Sequence, residues 1–156
     1  MEQTLIILKP DAVQRGLIGS ILQRLEAKGL QIVAMKLSRI SPALAAEHYA
    51  MHQSKPFYNS LVKFMTSGPV VLLVLRGNNA IDVSRKLMGA TFGFKAEPGT
   101  IRGDFGLSSS FNLIHGSDSP AAAAAEIARF FTPAEIQDYT PASAAWVYDM
   151  SGGTPQ

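Results

Sequence analysis

The run VVLLVLR at residues 70–76 most restricts what this chain can fold into. It is strand length, rich in valine, and closed by Gly68-Pro69 on one side and Gly77-Asn78 on the other. Such a run reads as a fully buried strand, which must pair with others. TLIILK (4–9), stopped by Pro10, supplies a second short buried strand. QIVAMKLSRI (31–40), where Ile32 and Ala34 alternate with Val33 and Met35, supplies a third, and FNLIH (111–115) a fourth.

Between these strands the apolar residues fall at helical spacing. Asp11 caps a helix whose Ile18, Ile21, Leu22 and Leu25 share a face and which Gly29 ends. Gly16 and Gly19 read as two small residues inside that helix. Ser41-Pro42 starts a helix through ALAAEHYAMH; Lys55-Pro56 breaks it, and NSLVKFM forms another. Residues 79–88 form a helix bearing Arg85, and SPAAAAAEIARFF forms one with Ser119 as N-cap and Pro120 in its first turn. From Gly89 to Ser110 there is no clean period, and a stretch of about 20 residues without its own element is usually functional in a compact domain. The order β-α-β-(αα)-β-α-β-α predicts an α+β, ferredoxin-like fold: a four-stranded antiparallel sheet with helices packed on one face. Neither a repeat nor a linker divides the chain, so residues 1–150 are expected to form one domain and SGGTPQ (151–156) a loose tail.

Composition narrows the function. With 47% hydrophobic and 17% charged residues the chain is globular rather than disordered. A net charge of +2 suits an anionic ligand without requiring nucleic acid. The absence of cysteine rules out disulfides and thiolate metal sites. MEQTLIILKPD has the wrong flanks and too short an apolar core for a secretion signal, and no apolar run reaches the ~20 residues of a membrane span. A soluble, cytoplasmic protein is expected.

His48, His52 and His115 are the histidines. His48 and His52 are one helical turn apart, yet no H-E-x-x-H pattern or third clustered ligand accompanies them, so a direct metal site is not expected. Neither a G-x-S-x-G elbow nor a Walker or dinucleotide loop is present. Cationic and polar residues instead gather at breaks in the pattern: Lys9 at a strand end, Arg85, Thr91 and Arg102 around the irregular stretch, and Asn112 and His115 about the last strand. A lysine, two arginines and a threonine suit a polyphosphate, since guanidinium forks onto two oxygens and keeps its charge. Each has a plainer reading too: Lys9 as a snorkelling edge residue, Arg85 on a solvated helix face, His115 as a satisfied core histidine. As a nucleophile, a neutral imidazole needs only a fixed tautomer, and Glu126 on the following helix is a candidate to fix it. Asp104, within IRGDFG, reads as a brace for its loop.

Taken together, TLIILKPDAVQRGLIG, HYAMHQSKPF, SGPVV, PGTIRGDFG, NLIHGSDS and WVYD resemble the nucleoside diphosphate kinases, in order from about residue 3 to 149. The resemblance implies a ping-pong transfer in which a nucleoside triphosphate phosphorylates His115 on Nδ1 and a nucleoside diphosphate removes the group. It implies that Glu126 and Ser117 hold or flank the imidazole, with Tyr49 beside it. Lys9 and Asn112 match residues that bind sugar hydroxyls and phosphates; Arg85, Thr91 and Arg102 match the phosphate-binding set; Phe57 matches the aromatic that stacks on the base. Mg²⁺ is implied as a companion of the nucleotide, held mainly by phosphates. Also implied is a homo-oligomer, tetramer or hexamer, in keeping with a mean hydropathy of +0.12. No membrane and no obligate nucleic acid are expected as partners.

Three positions depart from the family pattern: Met51 replaces a frequent acid, TFGFKAEPG (91–99) replaces the usual T-N-P-A loop that often helps subunits meet, and Ser109 replaces a small apolar contact to the base. A rival reading is a nucleic-acid-binding ferredoxin-like module, because TFGFKA faintly echoes the RNP1 string of RNA-binding sheets.

Overall fold

The computed structural model describes residues 1–156. Its centre is a four-stranded sheet of β1 (Glu2–Leu8), β2 (Gln31–Ser38), β3 (Val70–Gly77) and β4 (Ile114–Gly116), ordered β2-β3-β1-β4. Every neighbouring pair is antiparallel, with Leu5 opposite Val74 at the centre and Ile7 opposite His115 at the β4 edge. That is the α+β, ferredoxin-like arrangement expected from the order of elements.

Helices cover both faces of this sheet, where one face was expected. Leu5, Ile7, Leu72 and Val74 pack toward α3 (Pro42–His48), α4 (Tyr58–Met65) and α7 (Pro120–Phe130). Ile6, Leu8, Leu73 and Leu75 pack toward α1 (Pro10–Gln14), α2 (Ile18–Ala27), α5 (Ala80–Met88) and α6 (Ile101–Phe105). The continuous apolar character of β1 and β3 has this cause: in a strand buried on two faces, both alternating sets of side chains must be apolar.

Local chemistry sets the ends of the elements. Ser41 and Ser119 accept from the backbone N–H of Leu44 and Ala122, and Pro42 and Pro120 occupy the first turns, as expected. The helix foreseen from Asp11 to Gly29 is two helices, because Gly16 adopts φ +67° and turns the chain between them. Lys9, not Asp11, takes the N-cap position of α1. The helix after Ser41 stops at His48 and continues only as a 3-10 turn, Ala50–His52. The 89–110 stretch contains a 3-10 turn at Gly93–Lys95 and the short α6. TFGFKA therefore lies off the sheet, with Phe92 and Phe94 exposed and stacked at 6.0 Å, and the RNP1 echo has no strand to carry it.

The fourth strand is shorter than FNLIH suggested. Leu113 has φ +71°, a left-handed conformation unusual for a leucine, which ends extended pairing before Ile114. Asp11 holds this kink by accepting the Leu113 N–H at 3.1 Å, while the Lys9 N–H donates to the Leu113 carbonyl at 2.8 Å. Asp11 is thus a long-range brace rather than a helix cap. A short α8 (Ala144–Val147) precedes the tail, where Asn78 Nδ2 donates to the Pro155 carbonyl at 2.9 Å.

Candidate active site

The kink and α7 together set the environment of His115. Its Nε2 lies 3.0 Å from Glu126 Oε2, and Ser117 Oγ donates to the same oxygen at 2.7 Å. Ser117 is itself fixed by accepting the Leu5 N–H at 3.2 Å, so sheet and helix meet at this carboxylate. Burial alone would raise the Glu126 carboxyl, but hydrogen bonds from His115 and Ser117 and the nearby imidazoles outweigh it and hold it below its ordinary value. An ionised carboxylate only accepts, so the His115 proton sits on Nε2 and Nδ1 carries the free lone pair.

A second imidazole stands beside the first. His48, at the C-terminus of α3 and 8% exposed, meets His115 edge-on with ring centroids 5.0 Å apart. It also packs edge-on against Tyr49 at 4.6 Å and Phe130 at 5.2 Å, and its Nδ1 is 3.2 Å from Arg129 Nη1. Sequence spacing relates His48 only to His52, one helical turn on; the fold pairs it with His115. His48, His115 and Glu126 do offer one donor atom each within 4.8 Å of one another. The hydrogen bonds from Arg129 and Ser117 and the His115–Glu126 pair already account for that proximity.

The cationic residues converge next to the kink. Lys9 Nζ donates to Asn112 Oδ1 at 2.6 Å, and Asn112 Nδ2 donates to the Thr91 carbonyl at 3.0 Å. Arg102, 7% exposed, donates through Nε to the Asn112 carbonyl, through Nη1 to Gly89 and through Nη2 to Ile114, at 3.1, 3.0 and 2.6 Å. Those bonds engage three of its five N–H groups and weld the irregular stretch to β4. Arg85 reaches the Gly116 carbonyl at 3.3 Å, one residue from His115. Burial and then the charge of Arg102 pull Lys9 down to about 8; burial and then Arg85 pull Arg102 down to about 10. Crowded, partly desolvated cations of this kind are waiting for negative charge.

Tyr49 is buried, and its hydroxyl meets no protein partner. Burial and then the charge of Glu126 raise its phenol above the ordinary value, so it is a neutral donor. Phe57, at the N-cap position of α4, is 48% exposed, and the ring of His52 lies 5.6 Å away. Met51 and Ser109 are exposed. Asp104 accepts the Gly99 N–H at 2.8 Å and pairs with Arg24 at 2.6 Å, bracing its loop as expected. A concavity of about 580 Å³ beneath the C-terminal segment contains none of these residues, and its Arg76 is already bonded to Gln31, Asp138 and Tyr139.

An oriented imidazole with one free nitrogen, adjoining a buried lysine and two arginines on a ferredoxin-like sheet, places the chain among phosphotransferases. The family model for nucleoside diphosphate kinase matches residues 2–136. A nucleoside diphosphate kinase of Synechococcus sp. (strain JA-3-3Ab) is 54% identical over 149 residues, 96% of this chain and 100% of the relative. One from Archaeoglobus fulgidus is 52% identical, covering 96% of this chain and 99% of its own. Among solved structures, the halophilic nucleoside diphosphate kinase from Halobacterium salinarum, in complex with CDP, superposes with a TM-score of 0.93 at 52% identity over 95% of this chain and 99% of that one. The chain belongs to the nucleoside diphosphate kinase family.

Proposed function

We propose that this chain moves the γ-phosphoryl group of a nucleoside triphosphate reversibly to a nucleoside diphosphate, with His115 Nδ1 as the intermediate acceptor. The observation that carries this reading is the 3.0 Å bond of His115 Nε2 to Glu126, which leaves Nδ1 unprotonated without any general base. The Nδ1 lone pair attacks the γ-phosphorus, the bond from phosphorus to the β–γ bridging oxygen breaks, and the nucleoside diphosphate departs with that electron pair. In the return half, a β-phosphate oxygen of a second diphosphate attacks the same phosphorus and the P–N bond breaks, restoring the Nδ1 lone pair. Glu126 stabilises positive charge on the ring throughout, and Ser117 holds the carboxylate in place.

Phosphoryl transfer depends chiefly on placement and charge compensation. Arg85, Arg102 and Thr91 are assigned to the phosphates, Lys9 and Asn112 to phosphate and sugar hydroxyls, and Phe57 to the base. The two N–H groups that Arg102 does not spend on carbonyls support that role. So does the unpartnered Tyr49 hydroxyl, a donor for a phosphoryl oxygen near the imidazole. Stacking on one ring face suits every base, as a kinase serving all nucleotides requires. The site is cationic, and its carboxylate, Glu126, is engaged; this donor set fits Mg²⁺ carried in by the phosphates rather than caged by protein. When bound, Mg²⁺ supplies charge neutralisation on phosphate oxygens.

The same proposal includes a homo-oligomer, tetramer or hexamer, supported by the exposed Phe92–Phe94 pair in a loop where family members often meet. It also includes a cytoplasmic location; no helix is long and apolar enough to cross a membrane.

The test is incubation with γ-labelled ATP and Mg²⁺ beside a His115→Asn control. Label that is acid-labile and alkali-stable, absent from the control and discharged by GDP is expected. Folded protein that takes up no label would overturn the reading.

A further inference from the structure

Arg129 lies three residues beyond Glu126, so α7 turns both toward the same end of the sheet. Glu126 takes the proton-bearing nitrogen of His115, and Arg129 takes a nitrogen of the neighbouring ring, with Nη1 3.2 Å from His48 Nδ1. A guanidinium has only donors, so the Nδ1 facing it must accept and must be bare. The proton of His48 is then on Nε2, and the ring is neutral. The guanidinium is itself aimed: Arg129 Nε donates to Glu47 Oε1 at 3.0 Å.

We infer that Arg129 is a positioning residue for the transfer, holding His48 as its neutral Nε2–H tautomer against the nucleophilic ring so that His48 never competes for a proton there. This rests on His115 being the nucleophile. The groups facing His48 are Glu126 and Arg129 from α7, His115 from β4 and Lys9 from the end of β1; Glu47 and Tyr49 share its own segment. Burial and then the charge of His115 push His48 well below an ordinary imidazole; Glu126 opposes them, and Arg129 and Lys9 add to them.

The consequence concerns the intermediate. A phosphoryl group on His115 places about two negative charges beside His48. An imidazole free to protonate would form an ion pair with that group and stabilise the phosphorylated protein more than the transition state leaving it, which slows turnover. Arg129 blocks this by occupying the one nitrogen that would have to gain a proton. The phosphoryl group is left without an ion pair to His48 and stays transferable.

The tautomer is read first, without turnover, by ¹⁵N–¹H correlation of the imidazole nitrogens in unphosphorylated protein, with His48 assigned by loss of its signals in His48→Gln. His48 is expected to show a protonated Nε2 and a bare Nδ1, unchanged from pH 8 to pH 5.5. A protonated Nδ1, or a His48 that titrates in that range, overturns the inference whatever His115 does. Discharge of the phosphorylated protein by GDP is then followed for wild type, Arg129→Leu and Arg129→Lys. In Arg129→Leu, the bare Nδ1 of His48 is free to take a proton when the negatively charged phosphoryl group stands beside it, so the discharge rate relative to wild type is expected to fall between pH 8 and pH 5.5. Arg129→Lys, which keeps charge and donor, is expected to restore the wild-type profile. A ratio independent of pH would reduce Arg129 to a packing residue. Should Arg129→Leu fail to fold, Glu47→Gln, which unhooks the guanidinium without touching His48, is expected to show the same change in direction, and a flat ratio there overturns the inference equally. Failure to label at all would instead count against His115 as nucleophile, which the tautomer measurement does not depend on.

Discussion

Glu126 and His115, eleven residues apart, are joined by a 3.0 Å bond that crosses from α7 to the edge of the sheet. Ser117 donates to the same carboxylate oxygen from the strand side, so the carboxylate cannot rotate without breaking a second contact. The imidazole is thereby fixed with Nδ1 bare before any substrate arrives, which is preorganisation in the sense that matters for phosphoryl transfer.

Removing the carboxylate should therefore damage chemistry more than binding. Glu126→Ala is expected to lower kcat by 10- to 100-fold on the order usual for losing a group that orients a functional imidazole, with KM changed little. Ser117→Ala leaves the His115–Glu126 bond in place and should cost less. Steady-state kinetics with the rate of histidine phosphorylation in single turnovers would check both. A Glu126→Ala effect confined to KM would contradict the orienting role.

Lys9 should make nucleotide binding depend on pH. Burial and the charge of Arg102 bring it to about 8, so above that pH the unliganded protein holds it largely neutral. A polyphosphate favours the ammonium form and raises the value, so binding between pH 8 and 9 takes up a proton. Affinity then falls as pH rises through 8, the reverse of a site made by a depressed carboxylate. The phosphates are already fully ionised in this window and cannot mimic the effect. Calorimetry of nucleoside diphosphate binding in two buffers of different ionisation enthalpy should show the uptake, and Lys9→Met should abolish it.

Much of the architecture is written locally. Ser41-Pro42 and Ser119-Pro120 start helices because hydroxyl caps and proline act within one turn, and β1 and β3 are apolar runs whose length alone suggests strands. What is not legible comes from distance. Nothing near Leu113 marks it for a left-handed conformation; the support comes from Asp11, 102 residues away in sequence. Likewise no spacing rule links His48 to Arg129 across 81 residues. The fold sets Lys9 against Asn112, three residues before His115, whereas reading Leu113 as extended strand would leave Asn112 and His115 without the turn between them.

Arg102 ties together the carbonyls of Gly89, Asn112 and Ile114, so its removal should cost stability as well as affinity. Arg102→Met would leave those carbonyls short of a charged donor, and a loss of about 2–4 kcal/mol is expected from urea unfolding. Arg102→Lys keeps the charge yet cannot reach three carbonyls with one fork, and should fall between. Gly103→Ala offers an independent check, since a Cβ there would run into the Glu97 backbone carbonyl and displace the turn that carries Arg102. A variant as stable as wild type in all three cases would mean the loop is held elsewhere.

Phe57 tests how the base is held. The ring is half exposed at the entrance to α4, and its one aromatic neighbour is His52 at 5.6 Å, so a face is free for stacking. Stacking on an aromatic is worth about 1–3 kcal/mol per base and depends little on which base it is. Phe57→Ala should therefore raise KM roughly 5- to 100-fold for ATP, GTP, CTP and UTP together, with kcat nearly unchanged once the site is saturated. A serine at 109, where an apolar contact is usual, is the one local feature that could add base-edge hydrogen bonding. If that hydroxyl reads the base, the four nucleotides will separate in the Phe57→Ala variant, because stacking no longer masks the difference. Ser109→Val would then bring them back together. A uniform rise in KM, unaltered by Ser109→Val, is the expected outcome, since Ser109 is exposed.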